Sequence, residues 1–81
     1  MKKNLSEVQK SENKLYLINL GAKIRTLREG RNMTMTQMAD LLGTKYAQIW
    51  RIEKGSVNST ILILRDVAKI LKVKLSQLVK D

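Results

Sequence analysis

TMTQMADLLGTKYAQIWRIEKG, residues Thr34 to Gly55, reads as one helix, a turn of three or four residues containing Gly43, and a second helix. Ala39 falls where two helices approach closely, so a larger side chain would push them apart. Gly43, four residues on, falls where the first helix must stop and the chain must turn, and glycine takes the left-handed backbone there at little cost. Ile49 and Ile52 are three apart on one face of the second helix and can pack back against Met38, Ala39 and Leu42. Tyr46, Ala47, Gln48, Trp50 and Arg51 are left pointing away from that core. A helix held from behind and polar in front has the geometry of a major-groove reader. The same spacing fits an ordinary helical hairpin in a small bundle, and spacing by itself leaves both open.

Capping chemistry supports the two-helix reading. Thr34 and Gln37 have capping-box spacing, in which the hydroxyl accepts from the Gln37 N–H and the Gln37 side chain reaches back. Met33 and Met38 flank that cap at staple spacing. Thr44 can cap the second helix, with Lys45 as the alternative and poorer cap.

From about Leu20 to Val79 the chain resembles the lambda-repressor-like, Cro-type (XRE-family) helix-turn-helix transcriptional regulators. The motif at 34–55 carries the resemblance, LGAKIRTLRE (20–29) matches the family's first helix, and TILILRDVAKILKVKLSQLV (60–79) matches its last two. The resemblance implies an all-α fold, a compact five-helix domain over residues 15–81. Residues 1–14 are polar, with only Leu5 and Val8 apolar, and are expected to form a flexible basic N-terminal arm or a frayed lead-in helix. Periodicity places the first helix at about Leu15 to Arg31, with Leu17, Leu20, Ile24 and Leu27 as its buried face. Gly21 breaks helix propensity there and marks close packing against a neighbour. The second helix is expected at about Met35 to Leu42, the third at Lys45 to Glu53 and the fourth at Ile61 to Lys72. Ile61, Leu64, Val67, Ala68 and Leu71 form the inward stripe of the fourth. A short last helix near Leu75 to Lys80 closes the core with Leu75, Leu78 and Val79.

Composition agrees and narrows the function. Eighty-one residues suffice for one domain with a modest core. There is neither cysteine nor histidine, which excludes thiol catalysis, a Ser-His dyad and the usual zinc sites. The seven acidic residues form no convincing catalytic pair. The expectation is therefore a non-enzyme with no catalytic residues, no metal and no cofactor. The absence of disulfides fits a reducing cytoplasm. The start of the chain lacks the apolar segment of a secretory signal, and no apolar run approaches the length needed to span a bilayer. The net charge of +9 points to a polyanion. The excess is spread: residues 1–31 carry eight basic and three acidic groups, 32–58 three and two, and 59–81 five and two. Charge alone is equally compatible with solubility or a diffuse basic tail.

The resemblance extends to individual residues. Tyr46, Ala47, Gln48 and Arg51 match the positions with which the family reads bases. Gln48 suits adenine, Arg51 can fork onto guanine O6 and N7, and Ala47 can lie against a thymine methyl. Flanking contacts to the DNA backbone are expected from Thr34, Lys45, Trp50, Lys54, Ser56 and Asn58. Trp50 is unusual, since that position is commonly small or polar, and its indole can equally pack within the protein. Met35 replaces the Gln that commonly opens the second helix and touches the DNA backbone; Lys45 replaces the usual Ser and Ser59 the frequent Pro. Arg28 and Glu53 stand where the family pairs an Arg of the first helix with a Glu closing the reading helix.

Such proteins usually bind inverted repeats as two-fold dimers. Leu62, Ile63 and Ile70 fall outside the core stripe of the fourth helix and are expected at a homodimer interface with part of the last helix. Scattered surface apolar residues are the alternative. Two functions fit. The first is a dimeric repressor that occupies a double-stranded DNA operator. The second is an antitoxin or other protein-interaction module that binds a partner protein and represses its own operon; an adjacent toxin-like reading frame would favour it. A membrane-surface peptide is a distant third, since the core helices would have to open.

Overall fold

The computed structural model describes residues 5–80. Five helices follow in order: α1 (Leu5–Gly30), α2 (Met35–Leu42), α3 (Tyr46–Lys54), α4 (Ile61–Leu71) and α5 (Leu75–Val79). There is no strand among the described residues. The expected all-α, five-helix architecture is the one observed.

Helix α1 begins well ahead of the expected Leu15. Its 26 residues span about 39 Å at helical rise, and the molecule is correspondingly elongated, 51 × 24 × 20 Å. No proline or glycine interrupts residues 5–20, so the polar lead-in continues the helix, with Glu7 in its first turn favoured by the helix dipole. Residues 7–15 are all exposed, so these turns run out past the body. The first four residues of the expected arm lie outside the described residues.

Eleven buried residues form one core: Leu20 and Ile24 of α1, Met38 and Ala39 of α2, Ile49 and Ile52 of α3, Leu64, Val67, Ala68 and Leu71 of α4, and Leu78 of α5. Each large one contributes about 1.5–3 kcal/mol by leaving water. Three expectations change. Ile61 is 59% exposed rather than buried. It is the first residue of α4, and side chains lean toward a helix's N-terminus, so it projects past the end of the element. Leu17 is only half-buried, and Tyr16 beside it packs against the core instead. Thr44 does not cap α3; Lys45 holds the cap position with extended backbone and no side-chain cap bond.

Helix ends are closed by local and distant groups. The Ile63 N–H donates to Thr60 Oγ1 at 3.2 Å to cap α4. Lys72 ends α4 in the left-handed region, φ 57°. Three side chains around α1 reach the C-terminal carbonyls of later helices. Arg31 Nε donates to Leu71 O at 2.7 Å, the Tyr16 hydroxyl to Val79 O at 2.5 Å, and Lys23 Nζ lies 3.3 Å from the carbonyls of Gln77, Leu78 and Lys80. These satisfy carbonyls that a helix leaves without partners. Among the described residues no helix is long and apolar enough to cross a membrane.

Candidate nucleic-acid interface

The interface is assembled from α2, the turn after it, and α3. Thr34 caps α2 with both halves of the expected box: Gln37 N–H to Thr34 Oγ1 at 3.0 Å and Thr34 N–H to Gln37 Oε1 at 2.8 Å. The Gln37 amide oxygen is thereby occupied by the backbone. Met33 is partly buried against the core that includes Met38. Gly43 ends α2 at φ 74°, with Gly43 N–H on Asp40 O at 3.2 Å and Thr44 N–H on Ala39 O at 2.9 Å. This left-handed residue turns the chain into α3.

The back of α3 is fixed at close quarters to α1. Ile49 and Ile52 are buried. Gly21 of α1 faces the last turn of α3, where a Cβ would sit 2.5 Å from Ile52 O and press on Glu53 O as well. Gly55, at φ 72°, closes α3 against α1, where a Cβ would lie 2.6 Å from the backbone of Ile18. Two glycines therefore let the backbones nearly touch. Gly55 carries both the left-handed turn and the close approach.

Arg28 and Glu53 lock the same crossing. Arg28 Nε donates to Glu53 Oε2 at 2.6 Å and Nη2 to Oε1 at 3.0 Å, while Nη1 reaches Met33 O at 2.7 Å. Both side chains are over nine-tenths buried. The Glu53 hydrogen bonds raise the Arg28 pKa above the ordinary guanidinium value despite the opposing effect of burial. Arg28 stays charged at any working pH. One fork thus ties α1, the α1–α2 loop and the end of α3 together.

The front of α3 is free. Tyr46, Ala47 and Arg51 are exposed and Gln48 is half-buried. Among the described residues none of these four side chains makes an intramolecular hydrogen bond. Trp50 is 45% exposed and turns to the α1 side of this face, with Lys54 Nζ 5.6 Å from its ring centroid. Lys45, Lys54 and Asn58 are exposed around the helix ends. Ser56 differs in that its hydroxyl donates to Arg51 O at 3.2 Å, beside the Ser56 N–H on the same carbonyl at 3.0 Å. It closes α3 and keeps only acceptor capacity outward. Leu62 is 63% exposed, whereas Ile63 and Ile70 are half-buried and packed on the core. Among the described residues no group of acidic residues is placed to hold a metal.

Sequence reasoning missed the capping roles of Tyr16, Lys23 and Arg31. Their partners lie between 40 and 63 residues away, and nothing local marks them. The role of Gly55 was readable, since Glu-Lys-Gly at the end of an amphipathic segment is a helix stop.

Comparison with known proteins matches this geometry. The HTH_3 helix-turn-helix family model matches residues 24–78. An uncharacterized HTH-type transcriptional regulator, y4wC, of Sinorhizobium fredii is 32% identical over 63 residues, which is 78% of this chain and 44% of that protein. The chain thus spans less than half the length of this curated relative. The restriction-modification controller protein C.AhdI of Aeromonas hydrophila superposes with a TM-score of 0.74 at 22% identity, over 76% of this chain and 94% of that one. An HTH_3 family transcriptional regulator of Vibrio cholerae gives 0.74 at 24% identity, over 82% of this chain and 37% of that one. The structural likenesses speak to the fold. With the family model covering most of the chain and each part of the motif in place, the protein belongs to the HTH_3 (XRE-type) helix-turn-helix family.

Proposed function

We propose that the chain is a sequence-specific reader of double-stranded DNA that regulates transcription, acting as a dimeric, cytoplasmic repressor by occupying its operator. The observation that carries this reading is the contrast across α3: its inner side is fixed by two glycines and a buried ion pair, while its outer side chains make no intramolecular hydrogen bonds among the described residues. A rigid rod with uncommitted donors and acceptors suits a major groove, where each base pair shows its own pattern. Arg51 forks onto guanine, Gln48 pairs with adenine, Ala47 meets a thymine methyl, and Tyr46 covers a base edge or reaches a phosphate.

Thr34, Lys45, Trp50, Lys54, Ser56 and Asn58 hold the flanking backbone and set the register. Leu62, with the outer rims of Ile63 and Ile70, joins two copies so that a pair of α3 helices meets an inverted repeat. The relatives named as transcriptional regulators and as a controller protein support the same class of function. Selection of bound duplexes from a random pool, followed by titration at moderate ionic strength, tests the reading. A recovered half-site preferred over random duplex is expected; no preference over random DNA or heparin would overturn it. Sedimentation tests the dimer, and a strict monomer at high concentration would reject it.

A further inference from the structure

We infer that Arg25 of α1 holds a DNA backbone phosphate beside the reading helix, in the cleft between α1 and α3; this rests on the DNA-reading role of α3. A cleft of 310 Å³ opens between α1 and α3, walled by Arg25 and Glu29 of α1, Met35 of α2, and Tyr46, Trp50 and Lys54 of α3, over the Arg28–Glu53 pair. The chemistry of these walls is specific. Arg28 and Glu53 spend their charges on each other. Arg25, by contrast, is tethered only through Nε, to Glu29 Oε2 at 3.1 Å, and its side chain is 58% exposed. Its two terminal nitrogens make no hydrogen bond among the described residues. They are free for the two-point contact that a guanidinium makes with phosphate. Lys54 Nζ, drawn over the Trp50 ring, supplies a second cation on the far side. Tyr46 and Trp50 line the same cleft.

The sequence explains why α1 is recruited. Met35 offers only apolar atoms where the family resemblance implies a Gln on the DNA backbone. Met35 lines the same cleft as Arg25, so the missing donor and the available one share a site. The carboxylate of Glu29 opposes a free anion there. The occupant is therefore a phosphate delivered by a duplex already held on α3, for which the local concentration is high.

The test measures affinity for the selected duplex and for random duplex over a range of salt. For Arg25→Ala, binding to both should fall by the same factor. The slope of log affinity against log salt should drop by about one, so that the loss between 50 and 200 mM salt is roughly three- to fourfold smaller than in the wild type. Glu29→Gln, which frees the guanidinium and removes a repelling charge, should tighten binding to both. Lys69→Ala, which removes an exposed charge of α4, should change the slope clearly less. Equal effects of Arg25→Ala and Lys69→Ala, an unchanged slope for Arg25→Ala, a loss confined to the selected sequence, or weaker binding by Glu29→Gln would each overturn the assignment. A wild-type protein that preferred no duplex would sink the DNA reading itself. A wild type that binds normally beside an indifferent Arg25→Ala would sink this inference alone.

Discussion

The two sides of α3 are built on opposite terms. Toward α1, the helix is over-determined: buried isoleucines, two glycines at backbone contact and a bidentate ion pair all specify one crossing. Toward solvent, Tyr46, Ala47 and Arg51 are exposed, with side chains that make no hydrogen bond among the described residues. Binding then loses side-chain freedom but not helix position, and recognition can change without disturbing the scaffold. Substitutions behind the helix should therefore appear in stability, and substitutions in front in DNA binding. A variant that crosses this division breaks the comparison.

The largest effect is expected from Glu53→Gln, which leaves Arg28 buried with no countercharge. Removing one partner of a buried pair costs about 3–5 kcal/mol, and the retained amide oxygen keeps the loss near about 3 kcal/mol. In a domain of this size that lowers Tm by more than about 10 °C. Thermal unfolding followed by circular dichroism checks it, and an unchanged Tm would reject the bridge as a structural element. Next comes a sign reversal between two glycines of α1. An added Cβ on Gly30 meets nothing within 4 Å, so Gly30→Ala should stabilise by about 0.5–1 kcal/mol through helix propensity. On Gly21 the same atom strikes the carbonyls of Ile52 and Glu53, so Gly21→Ala should destabilise by about 1–3 kcal/mol. The same sign for both in denaturant unfolding would show that α1 and α3 are not held at the distance described.

What was legible in the sequence follows the range of the forces involved. The ends of α2 are written within a few residues, in the Thr34–Gln37 box and Gly43, and the expected Met35–Leu42 span is the observed one. Gly21 was readable as a close approach because a glycine inside a good helix needs a reason. Ile61 misled because periodicity extends back to the first residue of α4, where the side chain leans past the end of the helix. The early start of α1 was illegible because polar residues without a breaker suit a helix and an arm equally. The carbonyl caps from Tyr16, Lys23 and Arg31 depend on the assembled fold, and no spacing rule reaches across it. At the interface, the outward set on α3 was readable from the inward one. That Ser56 spends its proton on Arg51 O, and that Arg25 lies beside Met35, needed three dimensions.

In front of α3, Arg51→Ala should change stability by no more than about 0.5 kcal/mol, as for an exposed surface site. Binding to the selected duplex should weaken by about 1–3 kcal/mol, with base preference relaxed at one position. Titration against duplexes carrying each base at that position measures it; an equal loss on selected and random DNA would make Arg51 a phosphate contact instead.

The smallest effect is expected from Lys54→Ala, one turn beyond Trp50 on the same flank. Its ammonium lies over an exposed indole, an attraction of about 0.5–1 kcal/mol at such a site, so little folding stability depends on it. Against DNA the same charge neutralises one phosphate wherever the duplex sits, because it reads no base. Affinity should fall alike for selected and random duplex, and the salt slope should drop by about one. A Tm loss comparable to that of Glu53→Gln would move Lys54 to the structural side of α3. A loss restricted to the selected sequence would move Lys54 and Trp50 into the base-reading set.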